Sequence, residues 1–262
     1  FMNPELPEMI KYASEQGISA VTSTNGHFLH NKKYVERILT SGLETLIIAI
    51  DSLVEKNYLT YRKGGNLAKV VSGLENLVLQ KKRLKSKTVI NLRMVIMKSN
   101  EKEIPEMKKF ARELKVDKFT IKTINPSCGL NDMDDESVPD NPKYRRYVYK
   151  PGTYERIRQN AHCQKVWQMS NILANGDVVP CCYDYNAEMK VGNINEKPFT
   201  QIWTSNEYRE IRKKVYYHKE NIPKCRVCTI NFKLADGGWF PESFEFNAGS
   251  LIKDHISDYI CK

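Results

Sequence analysis

"TLIIAI", residues 45–50, decides the class of fold. A strand with one wet face alternates apolar and polar residues. This run is apolar from Leu46 through Ile50, so both of its faces need covering, as in the middle of a parallel sheet. Its neighbours supply the cover. Upstream, "NKKYVERILTSG" predicts a helix started by Asn31 and stopped at Gly42, preceded by a strand at "ISAVTST". Further upstream, Asn3 and Pro4 predict a helix start and Gly17 its end. Downstream, "SLVE" (Ser52–Glu55) has the form of a capping box. "NLAKVVSGLENLVLQKKR" carries apolar residues at helical spacing. "TVINLRMVIM" predicts a strand, "NEKE" (Asn100–Glu103) a second capping box and a helix to about Lys115, and "KFTIKTI" a closing strand. Strands alternating with helices imply right-handed crossovers and a parallel α/β sheet.

The chain has 262 residues, 41% of them hydrophobic and 27% charged. That composition is globular and too apolar for a disordered chain. No run approaches 18 apolar residues, which excludes a predicted membrane-spanning helix. "FMNPELPEMI" has neither the basic flank nor the apolar core of a signal peptide, so the expected setting is cytoplasmic. The formal net charge is +10. The dense basic run "QKKRLKSK" (Gln80–Lys87) lacks the interleaved aromatics of a nucleic-acid platform and reads as a helix end whose cations suit the dipole. Nucleic acid is therefore not an expected partner.

Residues 126–160 are rich in Pro, Asp, Asn, Tyr and Arg, the texture of a linker or substrate loop. "KYRRYVYKPGTYERIR" sets Arg145, Arg146, Arg156 and Arg158 between tyrosines. From Cys163 the texture changes. "VWQMSNILANGDVVPCC" predicts two short strands joined at Asn175-Gly176, a hairpin signal, and "FTQIWTSNEYREIRKKVYY" one or two short helices. The stretch 236–262 is aromatic and reads as an irregular tail.

Five of the seven cysteines lie between 163 and 228. Cys163 precedes the hairpin, Cys181 ends it, and Cys225 and Cys228 form a Cys-x-x-Cys knuckle. In a chain without a secretory signal, such clusters bind metal more often than they form disulfides. Four thiolates at these places suit an iron–sulfur cluster and equally a tetrahedral structural zinc. A zinc ribbon, however, usually carries two such knuckles.

The stretch "CQKVWQMSNILANGDVVPCCYDY", then "VGNINEKPFTQIWTSNEYREIR", then "CRVC" resembles the C-terminal auxiliary-cluster region, of SPASM or twitch type, of radical SAM enzymes. The pattern positions are Cys163, Gly176, Cys181, Gly192-Asn193, Trp203, Cys225 and Cys228. The resemblance implies that Cys163, Cys181, Cys225 and Cys228 ligate one auxiliary [4Fe–4S] cluster. No further cysteine follows until Cys261, where members with two such clusters have more. The first half resembles the same family's barrel. "FMNPEL" looks like the residues just after its Gly-Gly-Glu-Pro turn, "TSTNG" like the end of its third strand, and "AIDS" with "YRKGG" like its fourth strand and the Arg after it. The resemblance implies S-adenosylmethionine contacts from Asn25, Asp51 and Arg62, the Arg meeting the cofactor's carboxylate. The family's serine in Ser-x-Asp is Ala49 here. Its defining Cys-x-x-x-Cys-x-x-Cys loop is not in these residues, so the chain reads as the C-terminal portion of a longer enzyme, by itself inactive toward S-adenosylmethionine.

The expected architecture is an incomplete parallel (β/α) barrel over 1–125, a linker or substrate loop over 126–160, the auxiliary iron–sulfur domain over 161–235 and a tail over 236–262. The expected function is that of a radical SAM oxidoreductase acting on a small sugar-like molecule or a peptide, with flavodoxin or ferredoxin as reductant. The alternatives are a non-catalytic zinc or iron–sulfur module and an RNA-modifying relative. In relatives the residue beside the second ligand lies near substrate. Cys182 could give a hydrogen atom there, as in an epimerase, and Asp184 could take a proton, as in a dehydrogenase.

Overall fold

The computed structural model describes residues 2–125 and 137–246. The chain divides into two units. Among the described residues, one unit comprises 2–124, 137–146 and 235–246, and the other 125 and 147–234.

The first unit is the α/β layer structure that "TLIIAI" demands. Its elements are α1 (Leu6–Glu15), β1 (Val21–Thr24), α2 (Lys32–Thr40), β2 (Thr45–Ala49), α3 (Glu55–Tyr61), α4 (Leu67–Leu84), β3 (Val89–Ile96), α5 (Ile104–Glu113) and β4 (Lys118–Thr123). The four strands are parallel and adjacent in chain order. One face of the sheet presents Leu46, Ile48, Ile50, Ile90, Leu92, Met94, Ile96, Phe119 and Ile121 to the helices, and every one of them is buried. The fully buried Leu74 and Leu77 of α4 join that cluster, which also takes Ile38 of α2. Burial of this kind, at roughly 25 cal/mol per Å² of apolar surface, is the main source of stability in such a layer.

Asn31 and Asn66 begin α2 and α4 by accepting from the amides of Tyr34 (3.1 Å) and Lys69 (2.8 Å). The basic run closes α4. Lys81, Lys82 and Arg83 occupy its last turn, Lys81 pairs with Asp117, and Arg83 pairs with Glu36 at 3.0 Å.

Four local expectations change. Asn3 does not cap α1; its Oδ1 accepts from Glu5 N at 2.9 Å, a turn just ahead of the helix. The two expected capping boxes are not formed. Ser52 Oγ donates to Glu103 Oε2 (2.7 Å), and α3 starts without a side-chain cap. Asn100 makes no cap either. Its amide donates to Asp51 O (2.7 Å) and Val95 O (2.9 Å) while its Oδ1 accepts from Met97 N (2.8 Å). Asn100 thus satisfies backbone groups at strand ends, and an Asn buried to 1% exposure must be spent this way. The stretch after 235 is not wholly irregular: Glu242–Glu245 adds an antiparallel strand beside β4, with Phe244 stacked on Phe119. Phe244 and Phe246, alternating with Ser243 and Glu245, are the period-2 signal.

Candidate metal centre

The second unit is built around the predicted hairpin. β5 (Asn171–Ile172) and β6 (Asp177–Val179) pair antiparallel, and β7 (Gly192–Asn193) pairs with β6. The turn needs glycine: Gly176 has φ +85°, and a Cβ there would meet Asn195 Nδ2 at 2.4 Å. Asp177 locks the hairpin. It accepts from Asn175 (2.8 Å) and Asn193 (2.9 Å) and pairs with Lys190 (2.5 Å). These bonds, Lys190's first, hold its carboxyl below the usual range.

Four short helices follow the cysteines' order: α6 (Lys165–Gln168), α7 (Phe199–Trp203), α8 (Asn206–His218) and α9 (Pro223–Arg226). Val178, Val191, Ile202 and Tyr208 form a small core that sets the hairpin against α7 and α8. Gly192 lets Ile202 approach; a Cβ there would lie 3.0 Å from it. Arg212 stacks on Trp203 (4.2 Å) and Tyr208 (4.1 Å) and donates to Val166 O and Trp203 O, tying α8 to α6 and α7.

This frame brings Cys163, Cys181, Cys225 and Cys228 to the wall of one pocket, with Val166, Tyr183, Met189, Val215 and Ile230 as its apolar lining. All four are free thiols and half-buried. Burial, helped by the charge of neighbours in the set, pushes Cys181 up to about 11 and Cys225 up to about 12. Cys228 shifts the same way, again mainly by burial. Lys165, at the start of α6, is lowered by burial while the thiols of Cys181, Cys163 and Cys228 pull it back up. The four groups thus form one electrostatic set. They would become thiolates only with a cation among them, because metal ligands bind deprotonated. Among the described residues, no three Cys, His, Asp or Glu side chains stand close enough to share a single ion. Four thiols about one pocket are a donor set that suits a multi-iron group, whose ligands sit on separate irons, and is known also for one tetrahedral ion.

The knuckle has a support that the sequence reading missed. Asn231, 7% exposed, donates to Cys225 O (2.7 Å) and Arg226 O (3.2 Å), and Lys219 Nζ donates to Asn231 Oδ1 (2.9 Å) and to Ala161 O. An Asn three residues past a Cys-x-x-Cys pair is the signal that was available.

Cys182 does not line the pocket; it is half-buried and disulfide-bonded. Asp184 is fully buried. Its two oxygens accept from Glu188 N (2.8 Å) and Met189 N (2.7 Å), so it closes the loop after the hairpin.

In the first unit, Asp51 and Arg62 come together at the carboxyl end of β2, with Nε and Oδ2 2.6 Å apart. Asp51 has no exposed surface and also accepts from Val95 N at 2.8 Å. Burial raises its carboxyl above the ordinary range, and Arg62 opposes that shift. Asn25 follows β1, is exposed, and accepts from His27 N at 3.3 Å. His27 Nε2 in turn accepts from Asn66 N at 3.0 Å, which ties the loop after β1 to the start of α4. Asn25 and Asp51 lie in loops beyond the carboxyl ends of β1 and β2, where such sheets bind ligands, and Arg62, at the end of α3, reaches Asp51 there.

The family described as "SPASM: Iron-sulfur cluster-binding domain" matches residues 163–229, the segment that carries the four thiols. The chain is a radical SAM protein with a SPASM domain. It is similar to the AdoMet-dependent heme synthase of Methanosarcina barkeri, 22% identical over 86% of this chain and 70% of that protein. It is similar to the tungsten-containing aldehyde ferredoxin oxidoreductase cofactor-modifying protein of Pyrococcus furiosus, 25% identical over 87% of this chain and 70% of that one. Two solved structures share the fold. Streptococcus suis SuiB has a TM-score of 0.58 at 15% identity, covering 80% of this chain and 56% of SuiB. AdoMet-bound anSMEcpe has a TM-score of 0.58 at 14% identity, covering 88% and 70%. The SPASM match, which is of an iron–sulfur binding kind, falls within the second unit. Among the described residues, no helix is long and apolar enough to cross a membrane.

Proposed function

We propose that the SPASM domain holds one auxiliary [4Fe–4S] cluster through Cys163, Cys181, Cys225 and Cys228, within a radical SAM oxidoreductase-type enzyme. The observation that carries this is the lining of one pocket by all four free thiols inside the family-matched segment. When bound, such a cluster passes single electrons. The chain's own residues do the rest. Val166, Met189, Val215 and Ile230 exclude water from the thiols. Asn231 and Lys219 fix the carbonyls of the knuckle, so that Cys225 and Cys228 are held at a set orientation. Such pre-arrangement of ligands is what supporting hydrogen bonds contribute at metal centres.

Beyond β2, Arg62 and Asp51 belong to the S-adenosylmethionine site of the whole enzyme. A guanidinium suits a carboxylate, and the Asp51 pairing through Nε holds the side chain in place. The curated relatives named above act, by their names, in heme synthesis and in modifying a tungsten enzyme's cofactor. That favours a small cofactor-like molecule over a peptide as substrate. A hydrogen-atom role for Cys182 requires its thiol, so its disulfide would first have to open; alkylation of Cys182 after reduction, and not before, tests that step.

The deciding experiment is iron and acid-labile sulfide analysis of anaerobically reconstituted protein. About four irons and four sulfides per chain, both lost in Cys225→Ser, support the reading. Stoichiometric zinc with no sulfide would refute it.

A further inference from the structure

We propose that Arg156 and Arg158 form an oxyanion-binding site that takes a carboxylate or phosphate group of the substrate. This rests on the reading of the chain as an enzyme and names the chemistry of what its cysteine-rich unit meets.

Residues 147–149, 156–158 and 232–234 run side by side. Tyr149 opposes Arg156, Arg158 opposes Phe232, and Tyr147 opposes Leu234. The ladder is closed by Val148 N to Lys233 O, Ile157 N to Val148 O and Lys233 N to Ile157 O, each 2.9 Å. Residues directly opposite each other share a face, as do alternate residues along a strand. Tyr147, Tyr149, Arg156, Arg158 and Phe232 therefore stand on one side of this small sheet, and Val148, Ile157 and Lys233 on the other.

Both guanidiniums rest on one ring. Arg156 Cζ is 3.9 Å and Arg158 Cζ 5.3 Å from the centroid of Phe232, and Arg156 is also 5.3 Å from Tyr147. Phe232 and Tyr147 are themselves held edge to face at 5.9 Å. The stacks fix the planes of two cations side by side. Neither makes a hydrogen bond or an ion pair with any described residue, and Nη1 of Arg156 is buried without an acceptor. The one acid between 147 and 158, Glu155, is paired with Lys150 at 2.6 Å. Arginine donors are rarely left without acceptors, because a covered N–H with no partner is costly. Two such forks oriented by a common ring match an oxyanion, which accepts several N–H bonds at once.

The place is apt. Phe232 lies four residues past Cys228, and Gln159, next to Arg158, donates from its side chain to the carbonyl of Ile230, a residue of the thiol pocket. An anion held here sits on the segment that leads directly out of the knuckle.

The test is direct binding to the anaerobic, cluster-loaded protein, without turnover, followed by calorimetry. Tripolyphosphate and benzenetricarboxylate are the two probes. At least one should bind, tenfold or more weaker in R156Q/R158Q and measurably weaker in Arg158→Gln alone, an exposed position whose loss cannot unfold the domain. Lys233→Gln removes the same charge from the opposite face and should bind like the wild type. Binding of one probe only says which oxyanion the site takes. No binding of either, equal binding by R156Q/R158Q, or equal loss in Lys233→Gln would overturn the proposal. Iron content, read on the same samples, reports separately on the cluster assignment.

Discussion

Replacing Arg62 by Met keeps most of the side chain's stem and removes its charge. The carboxylate it leaves behind, Asp51, has no exposed surface and keeps one amide bond, from Val95 N. Removing one partner of a buried pair costs about 3–5 kcal/mol. Arg62 is 24% exposed, so solvent already screens part of its attraction, and a loss of about 2–3 kcal/mol is the expected value. The pH dependence identifies the cause. Burial already raises Asp51's pKa against Arg62's pull; without Arg62 it rises further. Between the unfolded value near 3.8 and that raised value, the folded chain binds a proton the unfolded chain does not. Stability of the variant therefore recovers as pH falls. Urea titration read by pulse proteolysis, with the surviving fragments identified by mass, measures this in the first unit alone. The deficit should be full at pH 8 and smaller at pH 5.5, and Asp51→Asn in the same chain should recover part of it. A deficit below about 0.5 kcal/mol, the ordinary range for surface changes, would refute the reasoning, as would one that does not change with pH.

Metal-free protein should lose stability in its cysteine-rich unit as pH rises above 9: the unfolded thiols ionise there, while Cys181 and Cys225 hold their protons to about 11 and about 12. Urea midpoints at pH 8 and 10 measure this, and Cys225→Ser should flatten the slope. Asn100→Ala leaves the Met97 amide and the carbonyls of Asp51 and Val95 without their partner, so a loss of about 2–4 kcal/mol is expected on unfolding. Gly192→Ala forces a methyl to 3.0 Å from Ile202 and should lower the thermal midpoint of the SPASM domain by several degrees, read by anaerobic circular dichroism. Asn231→Ala should leave the fold intact but speed cluster loss to a chelator severalfold, followed by the fading of visible absorbance.

The sheet was legible because burial on both faces leaves a plain mark: "TLIIAI" and "TVINLRMVIM" have nowhere else to go. The hairpin was legible because Asn-Gly demands the φ that Gly176 has. That four of the thiols meet at one pocket was foreshadowed by their spacing around the hairpin and the knuckle. What stayed hidden was how polar side chains are spent. Ser52 and Asn100 have the residue types of caps, yet each is drawn away by a buried partner distant in sequence, Glu103 for one and the strand-end carbonyls for the other. Local pattern carries no record of such competition. Arg156 and Arg158 likewise read only as part of a linker or substrate loop, because the ring that orders them, Phe232, arrives more than seventy residues later.

The strand Glu242–Glu245 finishes the sheet begun by β1, and the whole cysteine-rich unit is encoded between it and β4. Synthesis therefore delivers β4 to the ribosome exit well before its neighbour exists. At about 5–20 residues per second, the wait is on the order of ten seconds. For that interval β4 is an open edge, with Phe119 lacking the ring that later covers it, and unpaired edges of this kind recruit other strands. Lys118 and Lys122, spaced along the same edge, put positive charge where a nascent neighbour would dock, which is the usual protection for an edge left waiting.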